Sequence, residues 1–190
     1  MKSLHDFLRE VVALIEGAGV PYMLTGSIAS TYYGRPRATQ DIDLVIDPAQ
    51  VALHRFVRAA RESGHYVDDG DAADALEQRG IFNMIDAGSG YKLDLIVRKD
   101  RPYSLEEFAR RRLKSLSGVR LSIVSPEDAV LSKLEWAKEG QSERQLQDAL
   151  GIIVTQGESL DIRYLREWAA PLGVTGLLER LLEQGRRGGG

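Results

Sequence analysis

Leu4, Phe7, Leu8, Val11, Val12 and Ile15 recur at intervals of three and four, which predicts an amphipathic helix that Gly17 and Gly19 end. "PYMLTG", residues 21–26, is a short apolar run closed by glycine and predicts a buried strand followed by a turn. Ile28 to Tyr33 fits a short helix capped by Ser27, and "GRPRATQ" a loop, because Gly34 and Pro36 oppose regular structure. "DIDLVI", residues 41–46, alternates as a strand. After Asp47-Pro48 a helix is predicted to about Ser63, with Val51, Leu53, Phe56, Val57 and Ala60 as its apolar face. "DDGDAADALEQ" is acidic and reads as a loop with a short helix. "GIFNMID" and "YKLDLIV" around "AGSG" carry a hairpin signal. "SLEEFARRRLKSL" reads as a helix or helical connector, and "VRLSIV" as a last strand. From Ser125 the pattern is helical: Ser125 caps, Pro126 takes the first helical position and Asp128 completes an Asp variant of the capping box. Two or three further helices follow. No internal repeat or low-complexity linker interrupts the chain. The expected organisation is an α/β part over 1–124, a helical part over 125–184 and a flexible tail over 185–190.

Composition narrows the class. The chain has 190 residues, 43% hydrophobic and 28% charged, as in an ordinary globular protein large enough for one sizeable core. A formal net charge of -3 argues against a nucleic-acid coat or a polybasic membrane binder, while leaving room for a local basic patch. With no cysteine there is no disulfide, thiolate–metal or cysteine-nucleophile chemistry. The charged N-terminal stretch lacks a signal-peptide core and no apolar run reaches membrane-span length, so a cytoplasmic location and no membrane partner are expected.

The candidate chemistry lies in the strands. Asp41 and Asp43 are two apart, so they share one face of "DIDLVI" while Ile42, Leu44 and Ile46 share the other. Two like charges so close resist ionising together without a cation between them. One reading is a solvent-facing edge that uses charge against aggregation. The other is a pair of oxygen ligands for Mg²⁺, a hard cation that commonly bridges to phosphate. Asp94 sits inside a second apolar run, "KLDLIV". If those strands are neighbours, three carboxylates converge as a two-metal site requires.

Upstream, Gly26 permits close backbone approach or positive φ. At a helix start, the amides of Ser27, Ile28 and Ala29 form an anion site, to which the Ser27 hydroxyl adds a hydrogen bond. A plain Ser cap is the alternative. The turn, short helix, loop, Asp-x-Asp strand and later strand Asp together place a phosphate cradle with a metal site, as transfer from a nucleoside triphosphate requires.

These residues resemble the nucleotidyltransferase superfamily that includes DNA polymerase β and the kanamycin nucleotidyltransferases: "GS" at Gly26 and Ser27, "DID" at Asp41 to Asp43, and "LDLIV" around Asp94. The longer pattern "GSIAS…YGRPRATQDIDLVI", with "SPEDAVLSKLEWA…RQLQDAL" downstream, resembles bacterial minimal and abortive-infection (AbiEii-type) nucleotidyltransferases. The resemblance covers most of residues 20–150. It implies a small mixed sheet flanked by helices, two Mg²⁺ ions, and transfer of a nucleoside monophosphate from an NTP to an acceptor. By the same resemblance Asp41 and Asp43 bind both metals, Asp94 binds the catalytic metal and helps deprotonate the acceptor, and Gly26 and Ser27 hold the β- and γ-phosphates. The loop over 34–40 makes the separation from turn to Asp41 longer than in polymerase-like members.

Further candidates have two readings each. Arg35 and Arg37 either neutralise triphosphate or are solvated loop residues. Thr39 is expected to hold the loop through its hydroxyl. Lys133 either reaches phosphate or snorkels from a helix seam. Arg144 and Asp148 have the spacing of a helical ion pair. "RRRLK", Arg110 to Lys114, is either an RNA-phosphate contact or a solvated helix face. His5, His54 and His65 lack zinc-ligand spacing. The expected function is an Mg²⁺-dependent nucleotidyltransferase of toxin–antitoxin or phage-defence type, acting on tRNA or another RNA, or on protein, with a possible antitoxin partner. The alternatives are a non-catalytic, antitoxin-like binding module on the same scaffold and a metal-dependent phosphohydrolase.

Overall fold

The structure is a computed structural model that describes residues 2–188. In chain order the elements are α1 (Leu4–Gly17), β1 (Tyr22–Thr25), α2 (Gly26–Tyr33), β2 (Asp41–Ile46), α3 (Gln50–Glu62), β3 (His65–Val67), α4 (Asp69–Gln78), β4 (Ile81–Asp86), β5 (Lys92–Val97), α5 (Pro102–Ala109), β6 (Arg112–Leu116), β7 (Val119–Ile123), α6 (Pro126–Gly140), α7 (Glu143–Gln156), α8 (Ile162–Leu172) and α9 (Thr175–Gly188). They group into two compact units. One holds the chain up to Thr25 and Thr39–Ile123; the other holds Gly26–Ala38 and the chain from Val124 onward.

The first unit is built on a mixed seven-stranded sheet in the order β3-β4-β5-β2-β1-β7-β6. β1 runs parallel to β7 and β2 parallel to β5, and the other neighbours are antiparallel. The alternation in β2, β4 and β5 decides which face is covered. Ile42, Leu44 and Ile46, with Leu93, Leu95, Val97, Phe82 and Met84, share one face and are at most 2% exposed. In β2 and β5 the residues one position out of phase carry the charges. The amphipathic stripes of α1 (Phe7, Leu8, Val11, Val12, Ile15) and α3 (Leu53, Phe56, Val57, Ala60) are likewise buried, whereas Val51, expected on the apolar face of α3, is exposed; the two helices pack on each other. The buried His65 ring lies between α1 and the β3–β4 ribbon, with its nitrogens 3.1 Å from a Glu10 oxygen and 3.2 Å from one of Asp86.

Three segments differ from the sequence expectation. His65–Val67 forms a strand, stitched to β4 although only three residues long. The acidic run over 69–78 is one continuous helix, because Asp68 accepts hydrogen bonds from the amides of Gly70 and Asp71 and the first-turn carboxylates suit the helix N-terminus. The expected helix through residue 116 stops at Ala109, and Arg112–Leu116 is an edge strand paired with β7. Ser117 and Gly118 both have positive φ, the two-residue geometry that closes a hairpin, and that turn overrides local helix propensity.

The second unit is all helical. α6 packs against α2, α7 and α8, and α7 also against α2 and α9. The expected α6 start is present: the Ser125 hydroxyl accepts from the Asp128 amide at 3.1 Å and donates to the Asp128 carboxylate at 2.6 Å. Tyr164 donates to the other Asp128 oxygen, also at 2.6 Å, which ties α8 to the base of α6. α9 continues to Gly188, so the expected tail over 185–190 begins inside a helix and its last two positions lie outside the described residues. Among the described residues no helix is long and apolar enough to cross a membrane.

Candidate functional site

The charged face of the sheet belongs to the first unit. β2 and β5 are parallel neighbours with Asp43 in register with Asp94, so the two residues stand side by side on strands about 4.8 Å apart. Thr25 extends this row on one side and Asn83 on the other. Asp41 lies one step along the same face, and its cross-strand partner is Lys92. The three carboxylates singled out in the sequence therefore do share one face of two adjacent central strands. Thr39 holds the entry to β2, with its hydroxyl 3.4 Å from the Asp41 amide and 3.3 Å from the Asp41 carbonyl.

Lys92 is the residue that sequence reasoning missed here. Its ammonium lies 3.1 Å from Asp94 Oδ2. The hydrogen bond to Asp94 raises its pKa above the ordinary lysine value, and the charges of Asp94, Asp41 and Asp43 add to the effect. The signal was present, since Lys92 is two before Asp94 and so on the same face. The other Asp94 oxygen, Oδ1, is buried with no hydrogen-bond partner. Among the described residues no group of three carboxylate or histidine side chains stands preassembled around one point.

The second unit carries a separate charged cluster. α2 starts at Gly26, whose φ of 65° suits glycine, and Ser27 lies in the first turn instead of capping from outside it. The Ser27 hydroxyl accepts from Arg37 Nη2 at 2.5 Å. Arg37 also makes a two-point contact with Asp148, Nε to Oδ1 at 3.0 Å and Nη2 to Oδ2 at 3.1 Å. Lys133 reaches the same carboxylate, 3.0 Å from Oδ2, with only 7% of its side chain exposed. Burial pushes the Asp148 carboxyl up, but hydrogen bonds from Arg37 and Lys133 and their charges outweigh it and hold it below the usual range. Asp148 thus pairs with Arg37 and Lys133, not simply with Arg144 as the helical spacing suggested. Arg35 is exposed.

Two glycines place Arg37. A Cβ at Gly34 would come within 2.9 Å of backbone atoms of Gly151, Ile152 and Ser30. The loop therefore lies directly on α7 at Gly151, one turn after Asp148. Gln156 fixes the loop entry by donating to the Tyr33 carbonyl at 2.7 Å. The basic run splits across two elements: Arg110 caps α5, Arg111 stacks on Phe108 at 4.2 Å, and Arg112 and Lys114 lie exposed on edge strand β6.

No protein-family model matches the chain, and no curated protein matches it in sequence. Solved structures do match. The crystal structure of ANT(2")-Ia in complex with adenylyl-2"-tobramycin aligns with a TM-score of 0.58 at 14% identity, over 87% of this chain and 95% of that one. The solution structure of the antibiotic-resistance factor ANT(2'')-Ia aligns at 0.55 and 17%, over 92% and 96%. An antigenic nucleotidyltransferase-like protein from Paracoccidioides brasiliensis aligns at 0.55 and 17%, over 94% and 93%. The chain has a nucleotidyltransferase-like fold. In the nucleotidyltransferase-like sheet of this chain, Asp41, Asp43 and Asp94 occupy the two central strands β2 and β5.

Proposed function

We propose that the chain is a nucleotidyltransferase that moves a nucleoside monophosphate from an NTP to an acceptor hydroxyl. The observation that carries this is the in-register Asp43–Asp94 pair with a buried, unpartnered carboxylate oxygen on the central strands of the sheet. Such an oxygen is costly to bury without a counter-group, and the donor set is all oxygen, which fits Mg²⁺ held by Asp41, Asp43 and Asp94. When bound, Mg²⁺ supplies charge neutralisation at the reacting phosphate. The residues of the chain do the rest. The acceptor oxygen attacks the α-phosphorus, the bond from that phosphorus to the α–β bridging oxygen breaks, and pyrophosphate leaves. Asp94 takes the proton of the acceptor. In the second unit, Arg37, Lys133 and the Ser27 hydroxyl supply cations and a donor of the kind that binds phosphate.

As acceptor we propose RNA, on the exposed Arg112 and Lys114 of β6. The test incubates the full chain with each labelled NTP and Mg²⁺ in the presence of total RNA, total protein or tobramycin. RNA should acquire label, with a steep loss as salt rises. Asp94→Asn should lower transfer on the order of 10³-fold. Arg112→Glu with Lys114→Glu should lose RNA labelling while NTP still binds. Label on protein or tobramycin alone would replace the acceptor assignment, and no label from any NTP on any acceptor would overturn the activity.

A further inference from the structure

Resting on the function proposed above, we infer that Lys92 is a tethered counter-cation of the acidic face, which a divalent metal must displace before Asp94 can bind it. Lys92 projects from β5 onto the same face as Asp41, Asp43 and Asp94, opposite Asp41 in the cross-strand register and 3.1 Å from Asp94 Oδ2. Three carboxylates and one ammonium share that face, so the metal-free protein relieves part of its own repulsion internally. The contact is also loose enough to be exchanged. The Lys92 side chain is 40% exposed and Asp94 22%, so water screens the pair, and a four-carbon stem lets the ammonium swing into solvent. Asp94 Oδ1 is buried with no hydrogen-bond partner, so Lys92 holds the carboxylate through Oδ2. Lys92 is a positioning residue: it holds the Asp94 carboxylate in the metal-free state and sets the threshold at which metal enters.

Metal binding without nucleotide or turnover tests this directly. Mn²⁺ alone is titrated into the full chain at low salt, with free Mn²⁺ followed by electron paramagnetic resonance. Removing one unit charge from beside a divalent ion should tighten binding about tenfold even under water-like screening. Lys92→Gln, and Lys92→Met as a second variant that keeps the aliphatic stem on the sheet, should therefore bind Mn²⁺ about tenfold more tightly than the wild type. Lys92→Arg, which keeps the charge, should not. Asp94→Asn should lose the binding. Unchanged or weaker Mn²⁺ affinity in Lys92→Gln and Lys92→Met, with the wild type binding and Asp94→Asn not, would overturn this role and leave the metal assignment standing. Absence of Mn²⁺ binding in the wild type and in both variants alike would overturn the metal assignment and this role with it.

Discussion

The two charged clusters of this protein are built with opposite signs and opposite degrees of permanence. On the sheet of the first unit, three carboxylates face one ammonium, and the contact between Lys92 and Asp94 is 40% and 22% exposed. Among the helices of the second unit, Arg37 and Lys133 both contact the Asp148 carboxylate. There Asp148 is 9% exposed, Lys133 7% and Arg37 23%, and every contact is between 3.0 and 3.1 Å. Each cluster thus holds an opposite charge among its own residues. A half-exposed single contact is screened and readily exchanged. A buried carboxylate shared by two cations is not, because breaking it strands charges in a low-dielectric surrounding. The same device is therefore a displaceable placeholder on the sheet and a fixed organiser among the helices, where Asp148 holds Arg37 against Ser27 and beside Lys133.

The sharpest way to break this contrast is to remove each counter-charge and measure stability. Asp148→Ala leaves Arg37 and Lys133 together without their carboxylate and should cost about 3–5 kcal/mol, which lowers the thermal midpoint by roughly 10 °C in a chain of this size. Added sulfate should restore part of the loss. A midpoint within a degree or two of wild type would show that Asp148 organises nothing.

A smaller effect is expected at the loop that brings Arg37 to α7. Gly34→Ala places a Cβ 2.9 Å from three backbone atoms, none of which can turn aside. About 1–3 kcal/mol of stability should be lost, together with weaker NTP binding as Arg37 moves from Asp148. Wild-type calorimetry and wild-type NTP affinity in this variant would mean that the loop does not depend on the close approach to Gly151.

The smallest effect is in pH. The folded-state pKa of Asp148 lies below the ordinary carboxylate value, so its contribution is complete above that value, about 3.9. It is lost as pH falls below it towards the folded-state value. Acid unfolding of Asp148→Asn should accordingly fall less steeply below about pH 4 than that of the wild type. Lys92 has the opposite sign: its raised pKa makes its contribution complete below the ordinary lysine value and lost only as pH rises through the raised one. Equal acid slopes in Asp148→Asn and wild type would remove Asp148 from the acid-sensitive groups.

The sequence by itself determined the strands that carry Asp41, Asp43 and Asp94, because alternation places every second side chain on one face whatever surrounds it. It also determined the start of α6, since Ser125, Pro126 and Asp128 satisfy a helix end within four residues. Those are local rules acting on local residues. It did not reveal β6, where a Ser117-Gly118 turn and pairing with β7 prevailed over the helical look of "RRRLK". The partners of the charges were also out of reach. Which strand lies beside β2, and in what register, is a fact of the sheet, and that register alone sets Asp43 against Asp94 and Asp41 against Lys92. Asp148 is four residues from Arg144 in the chain and 111 from Arg37, yet it binds Arg37, because Gly34 and Gly151 let a loop and a helix touch backbone to backbone. Pattern fixes the direction in which a side chain points; only packing between distant segments decides what it meets there, because the desolvation and Coulomb terms that select partners depend on distance in space and not along the chain.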